Sequence, residues 1–179
     1  MTHEIIISGF GGQGILLMGQ LLAEAALLEH KQVSWIPSYG QEMRGGTANC
    51  TVIISDERIG SPLVDSPTLL VPMNLPSLTR FEPQLRAGGL LILNSSLVSE
   101  ESKRKDVTIY KVPMNDLAAQ INPQTLNVVG LGAIVALGKV VTKEAALKAM
   151  DKTFDKKFAD KPDLMAANRE AFEKGYTYK

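Results

Sequence analysis

Cysteine is nearly absent: the 179 residues hold one, Cys50. A lone thiol closes no intrachain disulfide and by itself holds neither an iron–sulfur cluster nor a structural zinc, so the chain is expected to carry no such centre of its own. Within the strand-like run Thr47 to Ser55, Cys50 reads as a small buried hydrophobe. Histidine is scarce as well. His3 and His30 sit near the N-terminus and at a helix end, which leaves no histidine-rich metal site. Charge of one sign is not in excess, with 19 Lys and Arg against 19 Asp and Glu. With no basic cluster, nucleic acid is not an expected partner. A membrane is not expected either. The long apolar run Val128 to Gly138 has 11 residues, where a bilayer span needs about 20. No charged segment precedes an apolar one at the N-terminus, so no secretory signal is read and a cytoplasmic location is expected. Repeats, low-complexity tracts and interdomain linkers are also lacking. One domain over 1–179 is expected, long enough for a full core.

What is present is concentrated at the start. Glu4 to Ser8 is a short β-branched strand, Gly9-Phe10-Gly11-Gly12-Gln13-Gly14 follows at once, and Ile15 to His30 reads as a helix. In this strand–loop–helix context the G-x-G-x-x-G spacing of Gly9, Gly11 and Gly14 has a physical meaning. Gly9 is expected to allow the turn out of the strand, Gly11 to let a ligand approach the backbone, and Gly14 to start the helix close to the sheet. The N–H groups of the first helical turn then favour an anion, and a phosphate-bearing ligand is the first expectation. The other reading is a plain tight turn. A dinucleotide fold also wants an acidic residue at the end of the second strand. Val33 to Ile36 runs instead into Pro37-Ser38-Tyr39, without one.

The loop Ser38 to Gly46 leads into the third strand, Thr47 to Ser55. If strand two lies beside strand one, this loop and the glycine loop share the carboxyl edge where open α/β sheets bind ligands. Arg44 with Gly45 and Gly46 then suits a phosphate or carboxylate, or Arg44 forms an internal ion pair with Glu42. Tyr39 and Glu42 either position a ligand or brace the loop. Further strands are read at Thr68 to Pro72, Leu90 to Asn94 and Val107 to Val112. Helices are read at Asn74 to Phe81, from Asn115 to Gln120, from Thr125 to Val141, from Lys143 with Thr142 as cap, and from Pro162 to Tyr176. The mixed-charge stretch Glu100 to Asp106 reads as a solvated loop. The first helix is apolar almost all round apart from Gln20 and Glu24, so it is buried on more than one side. Gly130 and Gly138 imply close packing, either in the core or across a subunit boundary. The alternation predicts an α/β fold: a three-layer, mostly parallel sheet with a Rossmann-like glycine-loop start and helices on both faces.

No nucleophile–base constellation or metal-ligand spacing is visible. The pairing of GFGGQG after a strand with SYGQEMRGGTANCTVIISD resembles the gamma subunit, or gamma domain, of the 2-oxoacid:ferredoxin (acceptor) oxidoreductases, over most of the chain. That family includes pyruvate, 2-oxoglutarate, branched-chain 2-oxoacid and indolepyruvate enzymes. The resemblance implies an oxidoreductase subunit that is not catalytic alone. Its alpha, beta and ferredoxin-like delta partners would carry thiamine diphosphate, Mg2+ and [4Fe-4S] clusters, and would reduce ferredoxin. It also implies that Gly9, Gly11, Gly12, Gln13 and Gly14 line a coenzyme A site faced by Arg44, Gly45 and Gly46. The fused enzymes have a lysine- and serine-rich second loop, a departure that bears on Arg44. A gamma–gamma contact is a further expectation. Two rivals stand beside this reading: a stand-alone nucleotide-dependent oxidoreductase, and a purely architectural subunit.

Overall fold

Six strands make one sheet in the order β2-β3-β1-β4-β5-β6. They are β1 Thr2–Phe10, β2 Gln32–Tyr39, β3 Thr47–Ser55, β4 Leu69–Pro72, β5 Leu90–Asn94 and β6 Thr108–Val112. The computed structural model describes residues 1–39, 46–157 and 161–178. β1, β4, β5 and β6 are parallel neighbours, whereas β3 runs antiparallel to both β1 and β2. Five strands thus point one way and β3 the other, which bears out a mostly parallel sheet. It corrects one expectation: β2 does not lie beside β1, because β3 is inserted between them. Tyr39 pairs with Ala48, and Phe10 with Thr47. The chain therefore leaves β2 at the same carboxyl edge where β1 ends, so the two loops share that edge despite the altered order.

The helices are α1 Ile15–Leu28, α2 Leu75–Phe81, α3 Met114–Ala119, α4 Leu126–Ala133, α5 Lys143–Lys157 and α6 Pro162–Thr177. On one face α1 lies against the sheet, with Ile15, Met18, Leu21, Leu22, Ala25 and Ala26 buried. α4, α5 and α6 complete that larger core. On the other face α2 covers Ile6, Leu70, Leu91 and Leu93 with Leu78 and Phe81, giving three layers. Asn74 caps α2, its Oδ1 accepting from the Ser77 N–H at 2.9 Å. Thr142 caps α5 through the Ala145 N–H at 3.2 Å. Gln20 donates to Glu24 at 3.0 Å along the polar stripe of α1.

The late helix differs from its expected course. α geometry stops at Ala133, a π-helical turn spans Ile134–Gly138, and Lys139 enters the left-handed region at φ 51°. Gly130 and Gly138 both pack within the chain, against Met18 and Leu69. The tightest backbone approaches lie elsewhere. A Cβ on Gly132 would collide with the Phe172 carbonyl oxygen, and one on Gly175 with the Val129 backbone carbonyl. Glycines on both partners let α4 and α6 meet backbone to backbone. The Glu100 to Asp106 stretch is not merely solvated. Arg104 pairs with Asp106 at 2.6 Å and donates to the carbonyls of Glu82 and Leu85 at 3.0 Å, tying the stretch to the end of α2. Among the described residues no helix is long and apolar enough to cross a membrane.

Candidate functional site

The site begins where β1 gives way to α1. Gly12 and Gly14 occupy the left-handed region, at φ 94° and 74°, which side chains with a Cβ rarely adopt. Gly14 is the N-cap of α1, and its carbonyl accepts from the Met18 N–H at 3.0 Å. Gln13 closes the loop: its Oε1 accepts from the Phe10 N–H at 2.6 Å, and its own N–H donates to the Phe10 carbonyl at 3.2 Å. The helix leaves the N–H groups of its first turn without intrahelical partners, at the positive end of its dipole.

The glycines divide their work differently from the expectation. Gly9 is needed for space, since a Cβ there would meet Gln13 Oε1, Ile15 Cδ1 and Met73 Cβ within 3 Å. Gly14 makes room for Asn127 of α4, whose Cβ would lie 2.6 Å from an added Cβ, and not for the sheet. Gly12 has nothing within 4 Å of such an atom, so the loop is open above it. The Gly11 N–H donates to the Gly46 carbonyl at 2.9 Å, joining the glycine loop to the end of the second loop. Tyr39 is exposed at the end of β2. Glu42, Arg44 and Gly45 lie outside the described residues.

Beside the glycine loop is a cavity of 320 Å³, bounded by Gly12 to Gly14, Leu17, Asn115, the 3-10 turn Pro123–Thr125, the start of α4, Phe154 and α6. Among the described residues no charged side chain lines it. Its polar lining is largely amide: Gln13, Asn115, Gln124, Asn127 and Asn168. Apart from Gln13, these were not singled out in the sequence. The available signal was an asparagine or glutamine set in an apolar helical run, as in Leu126-Asn127-Val128-Val129. Asn115 is held from behind by Asn94, a fully buried residue ending β5. Asn94 Nδ2 donates to Asn115 Oδ1 at 2.8 Å, and Asn94 Oδ1 accepts from the Met114 N–H at 3.1 Å.

Cys50 is fully buried behind α1, its Sγ 3.6 Å from the Ile15 carbonyl. Burial pushes its thiol up to about 12, so at neutral pH it is an inert hydrophobe and no nucleophile. Glu29, just past α1, accepts from the Thr142 N–H at 2.6 Å and pairs with Lys31 at 2.9 Å. Burial pushes its carboxyl up, but these partners outweigh it and hold the group below its ordinary value.

Residues 4–178 match the family model described as pyruvate ferredoxin/flavodoxin oxidoreductase. The chain is 38% identical to the 2-oxoglutarate synthase subunit KorC of Methanocaldococcus jannaschii, over 98% of this chain and 93% of that protein. It is 39% identical to the ketoisovalerate oxidoreductase subunit VorA of Methanothermobacter thermautotrophicus, over 96% of this chain but only 35% of that relative's length. Among solved structures, the gamma subunit of a keto/oxoacid ferredoxin oxidoreductase from Geobacter sulfurreducens shares the fold with a TM-score of 0.80 and 33% identity, over 97% of this chain and 96% of that one. At 24% identity, a 2-oxoglutarate:ferredoxin oxidoreductase from Magnetococcus marinus, solved with 2-oxoglutarate, coenzyme A and succinyl-CoA, is alike in fold, with a TM-score of 0.88 over 97% of this chain and 30% of its own. The chain belongs to the pyruvate ferredoxin/flavodoxin oxidoreductase family.

Proposed function

We propose that this chain is the gamma subunit, folded as one domain, of a multi-subunit cytoplasmic 2-oxoacid:ferredoxin oxidoreductase. The assembly converts a 2-oxoacid, coenzyme A and oxidised ferredoxin to an acyl-CoA, CO2 and reduced ferredoxin. Thiamine diphosphate, Mg2+ and the iron–sulfur clusters belong to the alpha, beta and delta partners, in keeping with a single buried cysteine here. The gamma chain completes the coenzyme A site with Gly9, Gly11, Gly12, Gln13 and Gly14, faced by Arg44, Gly45 and Gly46.

The observation that supports this best is the Gly11–Gly46 hydrogen bond. It ties the end of an arginine-bearing loop to a glycine loop whose helix N-terminus favours anions. Backbone donors at the start of a helix suit the phosphates of a coenzyme. The end of β2, Pro37-Ser38-Tyr39, carries no acidic residue to hold a ribose hydroxyl, which disfavours the stand-alone dinucleotide enzyme.

Gentle affinity purification of the chain from its native cells tests the assembly. The expected result is co-purification with thiamine-binding and cysteine-rich chains, and a brown iron–sulfur absorbance. Repeated recovery of a colourless chain alone contradicts it.

A further inference from the structure

The sheet is covered unevenly. On one face α1 packs over β2 and β3 and buries Cys50, Val52 and Ile54. On the other face α2 reaches Ile6, Leu70, Leu91 and Leu93, which belong to β1, β4 and β5. Among the described residues, that face of β2 and β3 is left without a helix packed on it. Side chains alternate along a strand, so the uncovered face presents Ser34, Ile36 and Ser38 of β2 beside Asn49, Thr51 and Ile53 of β3. Ile36 stands opposite Thr51, and Ser34 opposite Ile53. Ile36 is 38% exposed. Neither β2, QVSWIPSY, nor β3, TANCTVIIS, carries a charged side chain. Sheet edges that stay in water are blunted by charge, as β6 at the opposite edge is by Lys111. Depletion of charge marks instead the buried centre of a protein interface. Pro37 lacks an N–H and obstructs addition of a further strand, so an occupant packs on the face and does not extend the sheet.

One end of this face is walled by the link from β3 to β4. There Arg58, Ile59 and Leu63 enclose, with Glu4 and Ile53, a cavity of 240 Å³. Leu63 is 70% exposed. Glu4 is engaged by Arg86, whereas Arg58 has no ion pair or hydrogen bond among the described residues. The domain spans 93% of KorC and 35% of VorA. In the longer relative the rest of the same protein is tethered beside the domain, so a neighbour from the same enzyme, and not a second copy, is the occupant common to both forms. We infer that the uncovered face of β2 and β3 docks a neighbouring subunit of the oxidoreductase, and that this neighbour presents an uncharged, aliphatic patch bordered by a carboxylate. Ile36 and Thr51 lie at the centre of the contact, and the carboxylate meets Arg58 at its rim. Burial of aliphatic surface on Ile36 and Leu63 drives the association, and the arginine–carboxylate pair fixes its register. The inference rests on the multi-subunit reading above and adds to it the surface and the chemistry of the partner.

The test uses the tagged full chain in the oxidoreductase purified from its native cells. A photoreactive benzoylphenylalanine is placed at Ile36 and, as a control, at Thr79 on the exposed side of α2. On irradiation the probe at Ile36 is expected to join the chain to a different subunit of the complex, and far more than the probe at Thr79 does. Ile36→Lys and Arg58→Glu are each expected to weaken binding of the partner subunits by about tenfold or more, with the circular dichroism and melting of the chain unchanged. Arg58→Lys, which keeps the charge, is expected to retain most of the binding. Should Ile36→Lys disturb the fold, Arg58→Glu on the exposed link gives the same readout. Joining of Ile36 to a second copy of this chain overturns the inference, because the face would then serve self-association. Joining no more than at Thr79, or wild-type binding by the charged variants, overturns it too. In those cases partner subunits still co-purify with the wild-type chain. If none do, the multi-subunit reading itself has failed.

Discussion

Gly12 and Gly14 share a backbone conformation and differ in their surroundings, so together they separate strain from crowding. Gly12→Ala meets no neighbour and should cost about 1 kcal/mol from the left-handed backbone alone. Gly14→Ala adds a clash with Asn127 and should cost about 2–4 kcal/mol. Urea denaturation of the two variants measures this difference, and equal losses would contradict it. Cys50 makes a second residue-scale prediction. With its thiol pushed up to about 12, only about one molecule in 10⁴ is thiolate at pH 8. A thiol reagent should therefore leave the native chain unmodified and react once it unfolds; rapid native labelling would refute this. The glycine spacing was enough to identify a loop and a helix start. It did not say which glycine served conformation and which served space, because Gly9 answers to Met73 and Gly14 to Asn127, both remote in sequence. The amide cavity was illegible for the same reason, since its lining comes from widely separated helices and loops.

At the scale of elements, Glu29 links the end of α1 to the start of α5. Its carboxyl is held below the ordinary 4.5, with burial opposing and the Thr142 N–H and Lys31 prevailing. Its contribution to stability is therefore present above pH 4.5 and lost as the pH falls through the depressed folded value. Glu29→Gln should lower the melting temperature near pH 6 and flatten the acid limb of the curve of melting temperature against pH. An unchanged acid limb would contradict the link. Gly175→Ala drives a Cβ into the Val129 carbonyl of α4 and should cost at least about 3 kcal/mol or release α6, as measured by hydrogen exchange across α4 and α6. Continuous apolar runs such as Leu90–Asn94 were legible as strands to the residue, because burial on both faces removes alternation. The place of β3 was not. The short link from Tyr39 to Thr47 was the available signal, since parallel neighbours need a longer crossover. The helix read through Val141 broke instead at a π-turn, which a uniformly apolar run conceals.

Across the whole molecule, the fold brings to one edge of the sheet a helix N-terminus, a glycine loop and the end of an arginine-bearing loop, with an amide-lined cavity beside them. The chain has no net charge to steer a partner, at 19 basic against 19 acidic residues, so assembly is expected to rest on surface fit more than on attraction by net charge. The central claim is that this edge serves coenzyme A and not the chemistry on thiamine. The decisive measurement is the coenzyme A KM of the assembled oxidoreductase carrying Gly11→Val, beside its rate of 2-oxoacid decarboxylation on thiamine. A branched side chain at Gly11 crowds the approach to the loop, so the KM should rise by about tenfold or more while decarboxylation stays near the wild-type rate. An unchanged coenzyme A KM in a fully assembled variant would contradict the account.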